Sequence, residues 1–282
     1  MEPKVCAPVA VIIPCFNAAA TLPRAISSVL SQSTLPHQII FVDDASTDNT
    51  KQIIEKFCAE HPQFSVVKVY LATNLGAASA RNQGWARATV PFIAFLDCDD
   101  GWHPQKLEIQ CSWMLAHPEV MLCGHECVVT KESAASAQPF VPERLSITMY
   151  SGSSFLLKNR LSTPSVMLRT AIPERFVDGK RYSEDYLLWV QIAMNYGAIA
   201  FIRAPLAFLY KSKFGDSGLS ANLWQMQRGE LDTLARISNS YNPRLKRWLY
   251  LVSWIKFGRR CLIKAGSLLR AKWRIVTQRN VK

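Results

Sequence analysis

The 282-residue sequence contains no run of about 20 apolar residues, so no membrane-spanning helix is expected. Its eight cysteines include no Cys-x-x-Cys pair. Cys123 and Cys127 bracket His125, but no fourth ligand stands at structural-zinc spacing, so the thiols read as reduced and partly buried. A reducing cytoplasm is therefore the expected compartment. The opening stretch "MEPKVCAPVAVIIP" lacks a basic start and the length of a signal sequence, and none is expected. Neither G-x-G-x-x-G nor G-x-x-x-x-G-K-[ST] occurs, which removes the standard glycine-rich phosphate cradles. No G-x-S-x-G frame sets a serine beside any of the five scattered histidines, so no Ser/His/Asp triad is legible. There is no internal repeat. Acidic residues stop at Asp232, and 13 of the 33 Lys and Arg lie between Arg236 and Lys282. Residues 1–232 thus hold 20 basic and 21 acidic side chains, and the net charge of +12 belongs to the tail. Charge confined to a tail is weak support for nucleic acid, which is set aside as a partner.

What the chain does have is a repeated order of short apolar runs and amphipathic segments. "VAVIIP" (9–14), "QIIFVDD" (38–44), "SVVKVYLA" (65–72) and "PFIAFLD" (91–97) read as strands. Three of them are nearly continuous apolar runs, as parallel strands covered on both faces require. Helices are expected over 21–32, 48–60 and 76–88, with Thr21 and Ser46 or Thr47 as N-caps. The order argues for a doubly wound α/β sheet. Residues 127–150 read as a loop, 163–172 as a strand, 183–197 as a helix, and 198–211 as two short strands around Pro205. Residues 219–239 and 242–274 read as helices, the second basic and rich in Trp.

In such a sheet ligands bind beyond the carboxyl ends of the strands, and three polar clusters fall there: "PCFNAAAT" (14–21) after the first strand, "DDASTDNT" (43–50) after the second and "DCDDGW" (97–102) after the fourth. In "FLDCDDGWHP" (95–104), Asp97 and Asp99 as alternate residues of an extended segment would share one side, with Cys98 turned inward. Two hard carboxylates suit Mg2+ or Mn2+; the alternative is a solvated Asp-Gly turn. In "VDDASTDNT" (42–50), Asp43 and Asp44 are candidates to accept from a nucleobase or ribose, against ordinary helix capping. In "NLGAASARNQG" (74–84), Gly76 permits a tight helix entry, and Arg81 is either a pyrophosphate clamp or a surface residue. In "RYSEDYLLW" (181–189), Ser183 is a natural N-cap, and Glu184 and Asp185 favour the helix dipole or supply a general base.

In this order, these stretches, with "VIIPCFNAAATLPRAISSVLSQS" (11–33) before them, resemble the family 2 glycosyltransferases over roughly residues 8–211. The resemblance implies the A-type glycosyltransferase fold, a Rossmann-like, mostly parallel sheet flanked by helices. It implies inverting sugar transfer from a nucleotide-diphospho-sugar, uridine being the favoured base, to an acceptor hydroxyl. It also implies a divalent cation, Mg2+ or Mn2+, held by Asp97 and Asp99. Pro14, Asn17, Asp43 and Asp44 would line the nucleotide pocket, Arg81 and Asn82 would approach the ribose and diphosphate together with Asp97, and Asp185 would be the catalytic base. The Q-x-x-R-W motif and membrane spans of the processive members are missing. Residues 198–218 are instead similar to bacterial single-transfer enzymes that assemble surface polysaccharides (O-antigen, capsule or exopolysaccharide), although Lys211 stands where arginine is more usual.

The expected organisation is a catalytic domain over 1–218, divided into a nucleotide-sugar half (8–125) and an acceptor half (126–218), then a basic helical extension over 219–282. Trp248, Leu251, Val252 and Ile255 recur at helical spacing among Arg244, Lys246, Arg247, Lys256, Arg259 and Arg260. Such a helix suits an anionic membrane surface or packing on the catalytic domain. Membrane docking at the cytoplasmic face of the inner membrane would serve a glycan or lipid-linked glycan acceptor. Two rival readings remain: a phosphatase of the haloacid dehalogenase type, which also ends an apolar strand in D-x-D, and a non-catalytic transferase-like membrane-binding protein.

Overall fold

The apolar run Val9–Ile13 is fully buried, and so is Ile40–Val42 beside it, as strands covered on both faces must be. In the computed structural model, which describes residues 6–130, 138–210 and 222–279, both belong to a nine-stranded sheet. Its first half is β1 (Cys6–Cys15), β2 (Leu35–Asp43), β3 (Ser65–Tyr70) and β4 (Phe92–Phe95), all parallel, in the order β3-β2-β1-β4. Helices α1 (Leu22–Leu30), α2 (Thr50–Glu60) and α3 (Ala77–Trp85) make the crossovers. On α1, Leu22, Ala25, Ile26 and Val29 are buried at i, i+3, i+4 and i+7. This is the expected α/β architecture, a mixed sheet whose long pairings are parallel, flanked by helices.

Beyond β4 the chain departs from expectation at four places. Residues 127–150 are not one loop: β6 (Leu122–Val129) runs into them and β7 (Ile147–Tyr150) closes them. A short strand β5 (Asp100–Trp102) and helix α4 (Lys106–Ala116) precede β6. The expected strand 163–172 shrinks to β8 (Met167–Arg169), because Pro164 opens a 3-10 turn over Thr163–Ser165. The two strands expected around Pro205 are one, β9 (Ile199–Leu209). Pro205 lies opposite Glu126 between two register shifts, which is where a residue without an N–H can sit inside a sheet. Strand β8 is antiparallel to β4 and β6, and β9 is parallel to β6 and antiparallel to β5 and β7.

Aromatic packing fixes the elements that flank the acid-rich turn. Phe95 at the end of β4, Phe176 and Trp189 of α6 (Glu184–Tyr196) contact one another with ring centroids 5.4–6.3 Å apart. Trp102 of β5 is fully buried, donates to the Pro164 carbonyl (2.8 Å) and lies under the Lys106 ammonium, 3.8 Å from its ring. Helix α5 (Gly152–Phe155) packs beside α6, whose Tyr186 hydroxyl donates to the carbonyls of Phe155 and Leu156.

The chain divides into two compact units, Met1–Ser212 and Lys213–Lys282. The boundary drawn from the sequence at 218/219, and Lys211 with it, lies outside the described residues. The second unit consists of α7 (Leu223–Tyr241) and α8 (Lys246–Arg279), joined by a 3-10 turn. None of the eight cysteines is in a disulfide.

Gly84 of α3 faces β1, and a Cβ there would stand 2.5 Å from Ile12 Cγ2 and 3.3 Å from Val42 Cγ2. Both neighbours are stiff, fully buried and β-branched. Gly84→Ala is therefore expected to destabilise the chain by about 1–3 kcal/mol, seen as a lower urea midpoint with an unchanged slope.

Candidate active site

The carboxyl ends of β1, β2 and β4 lie side by side, with Cys15 opposite Asp43 and Ile12 opposite Phe95. Each strand leads into one of the polar clusters, as parallel topology requires.

The first two clusters are laced together. Pro14 is buried within β1, opposite Val42. Asn17 adopts a left-handed backbone (φ 47°), its N–H donates to Ser46 Oγ (2.9 Å), and its Oδ1 accepts from the Thr47 N–H (2.9 Å). Asp48 accepts from the Ala19 N–H (2.9 Å) and the Thr50 N–H (3.0 Å). Asp43 accepts from the Ser46 N–H (3.1 Å). Asp44 is buried, and its two oxygens accept from the N–H groups of Leu75 and Gly76, both at 2.7 Å. Gly76 holds φ 89°, the conformation that lets both N–H groups face that carboxylate at the entry to α3. Each Asp44 oxygen retains a second acceptor direction. Thr21 and Ser183 stand at the expected N-cap positions, without a side-chain cap bond, whereas Asn49 rather than Ser46 or Thr47 precedes α2.

The third cluster is not an extended segment. Strand β4 ends at Phe95, and the Asp100 N–H donates to the Asp97 carbonyl (3.0 Å), closing a turn over Asp97–Asp100. Alternation therefore does not govern where these side chains point, although Cys98, partly buried, does pack against the core as expected. Asp100 instead enters β5 and is buried. Its pKa is pushed up to about 8, by burial first and then by the neighbouring charges of Asp97 and Asp99. The Asp99 carbonyl accepts from Arg24 Nη2 (2.6 Å), which ties the turn to α1.

Arg81 joins this turn to α6. It is buried, and its Nη2 donates to Asp97 Oδ1 (2.8 Å) while its Nη1 donates to Glu184 Oε1 (3.1 Å). Its guanidinium also lies over the Phe176 ring at 5.4 Å. Burial opposes its charge, but Asp97 and Glu184 outweigh this and hold its pKa above the ordinary value. Neighbouring Asn82 is committed to the chain: Nδ2 donates to the Phe176 carbonyl (2.8 Å) and Oδ1 accepts from the Phe176 N–H (3.1 Å). Asp178 adds contacts to Ser79 and Asn82, so α3 pins the segment before α6.

Asp185, in the first turn of α6, accepts from the Tyr186 N–H (2.6 Å) and from Asn159 Nδ2 (3.3 Å). Its pKa is pushed up to about 7, by burial first and then by Glu184, against the lowering influence of Arg81. Arg81 thus brings together Asp97 and the Glu184–Asp185 pair. Sequence reasoning did not find Asn159 or Asp178, which lie in stretches without a periodic signal, nor the bridging role of Glu184.

The donor set of the acid turn suits a hard divalent cation. Asp97 and Asp99 are carboxylates outside the fully buried core, and their field is strong enough to raise the pKa of Asp100. Mg2+ or Mn2+ needs only one or two such carboxylates, with waters and phosphates completing its shell. Among the described residues no three His, Cys, Asp or Glu side chains gather as a metal site.

Residues 10–162 match glycosyl transferase family 2. The chain belongs to that family. It is a glycosyltransferase, which removes the phosphatase and non-catalytic readings. Among relatives, it is 31% identical over 256 residues to the Escherichia coli UDP-Glc:alpha-D-GlcNAc-diphosphoundecaprenol beta-1,3-glucosyltransferase WfgD, covering 89% of this chain and 93% of that protein. Its fold is similar to that of S. aureus TarS in complex with UDP-GlcNAc (TM-score 0.66, 19% identity, 86% of this chain and 70% of that one). It is also similar to the mannosyltransferase PcManGT from Pyrobaculum calidifontis in complex with GDP-Man and Mn2+ (TM-score 0.60, 16% identity, 95% and 81%).

A carboxyl whose folded pKa exceeds its unfolded value favours the folded state at low pH, and this contribution is lost as pH rises through the folded pKa. For Asp185 the window runs from about 4 to about 7. Asp185→Asn is expected to raise Tm at pH 8, with the gain shrinking toward zero near pH 4. Equal Tm for the two proteins at every pH would contradict the elevated pKa.

Proposed function

We propose that this transferase inverts the anomeric centre in a single displacement, with Asp185 as general base and Asp97 and Asp99 as ligands of Mg2+ or Mn2+. The observation that carries the reading is the Arg81 bridge, which sets the acid turn against the first turn of α6. Asp185 takes the proton of the acceptor hydroxyl as that oxygen attacks. A carboxyl with a pKa near 7 is matched to this task at neutral pH. Asn159 and the Tyr186 N–H hold the two Asp185 oxygens and favour its charged form. When bound, the divalent cation offsets the charge that develops on the departing nucleotide diphosphate.

Asn17, Asp43 and Asp44, with Pro14 beneath them, form the nucleotide side, where the remaining acceptor capacity of Asp44 suits a nucleobase N–H or ribose hydroxyls. Arg81 and Asn82 act on the ribose and diphosphate side by holding Asp97 and the Phe176 backbone in place. Uridine is the favoured base, since WfgD is a UDP-Glc enzyme and TarS binds UDP-GlcNAc. The likeness to WfgD over nearly the full length of both chains also supports a lipid-linked glycan acceptor. The enzyme would then work as a peripheral protein at the cytoplasmic face of the membrane; no helix among the described residues is long and apolar enough to cross it.

The test pairs binding with turnover. A thermal-shift screen of UDP-sugars with Mn2+ should stabilise the wild-type chain, and Asp99→Ala should lose the metal-dependent part of that shift. Asp185→Asn should retain the shift while kcat falls by about 10²–10⁴-fold. Wild-type turnover by Asp185→Asn would remove it as the base.

A further inference from the structure

Among the described residues of the second unit, Lys213–Lys282, Glu230 is an acid buried between α7 and α8. Glu230 accepts from Ser253 Oγ (3.0 Å) and from Arg260 Nη2 (2.6 Å), and Lys256 Nζ stands 3.7 Å from Oε1. Gln227 Nε2 donates to Ser253 Oγ (3.0 Å), and Leu249 and Phe257 are buried on the same side of α8. Two cations that the sequence placed around the apolar stripe, Lys256 and Arg260, therefore turn inward to a carboxylate.

What remains outward on α8 has a different composition. Trp248, Leu251, Ile255 and Leu262 are 50%, 59%, 66% and 75% exposed, at steps of three, four and seven residues, which is one helical stripe. Trp254 and Trp224, also exposed, meet edge-on at 6.2 Å along it. Arg247 and Arg259 are exposed on the same side, and no acid follows Asp232 to neutralise them. From Lys264 to Lys282 the sequence adds only further basic residues to this balance.

We infer that the outward face of α8 docks on an anionic lipid bilayer, with the helix lying in the plane of the interface. The combination selects this occupant. Large aliphatic side chains fit the acyl boundary, the indole rings fit the headgroup level, and the uncompensated arginines meet lipid phosphates. A nucleic acid would use the arginines and leave the stripe in water, and a neutral protein partner would use the stripe and leave the charge unanswered. The inference deepens the proposal of a lipid-linked acceptor, and it is tested apart from sugar transfer.

The experiment is flotation of the full chain with vesicles of phosphatidylcholine alone or with added phosphatidylglycerol, alongside nucleotide release from a UDP-sugar. Binding should be at least about tenfold greater to the anionic vesicles and should weaken with salt. Leu251→Glu combined with Ile255→Glu should lower it by about tenfold or more, with nucleotide release and circular dichroism unchanged. Arg247→Gln combined with Arg259→Gln should reduce the difference between the two vesicle types. Equal flotation with both lipids, or full flotation of the Leu251→Glu, Ile255→Glu chain, would overturn the inference. So would retention by RNA, or a concentration-dependent dimer sensitive to the same pair, without vesicle binding. Absence of nucleotide release by a wild-type chain that floats would contradict the transfer proposal and leave the docking result standing.

Discussion

Arg81 reaches Asp97 with one nitrogen and Glu184 with another, and it does so from a buried position. Its partners lie 16 and 103 residues further along the chain, so one guanidinium ties the end of β4 to the start of α6. A buried cation persists only with carboxylates at hand, and removing one partner of such a pair typically costs about 3–5 kcal/mol. The aromatic contacts of Phe95, Phe176 and Trp189 sit on the same elements. Packing therefore holds in place what the ion pairs orient.

This arrangement gives four acids unlike surroundings. Asp97 and Glu184 answer the arginine, while Asp100 and Asp185 are pushed toward their protonated forms. The crowding of acids seen in the sequence is thus not a cluster of equal charges. Asp100 returns into β5 behind the turn, and Asp185 has a pKa close to that expected of a base working near neutrality. Two carboxylates of similar sequence setting, Asp97 and Asp100, meet different surroundings: one accepts from a guanidinium, and the other is buried in the core.

The parallel half of the sheet was legible because continuous apolar runs such as Val9–Ile13 are the direct mark of strands buried on both faces. The clusters at the strand ends followed from topology. The acid turn was misread as extended because period-two reasoning applies only while the chain stays in a strand, and β4 stops at Phe95. Residues 127–150 hid two strands whose partner, β9, lies far along the chain, and local pattern cannot report such pairing. Pro205 suggested a break because proline lacks a donor; the register shift that accommodates it is a tertiary event. In the tail, the sequence showed a basic apolar helix but not which cations Glu230 draws inward.

The central claim is that one ion-pair bridge couples the acid turn, proposed to hold the metal, to Asp185, the proposed base. Arg81→Gln tests it through two readouts on one protein: Mn2+ affinity in the presence of a UDP-sugar, and the acid limb of kcat/KM. Since Arg81 lowers the pKa of Asp185, its loss should move that limb to higher pH while also altering Mn2+ affinity. An acid limb that stays in place while only donor or metal affinity falls would show that the base stands apart from the bridge, and would contradict the account.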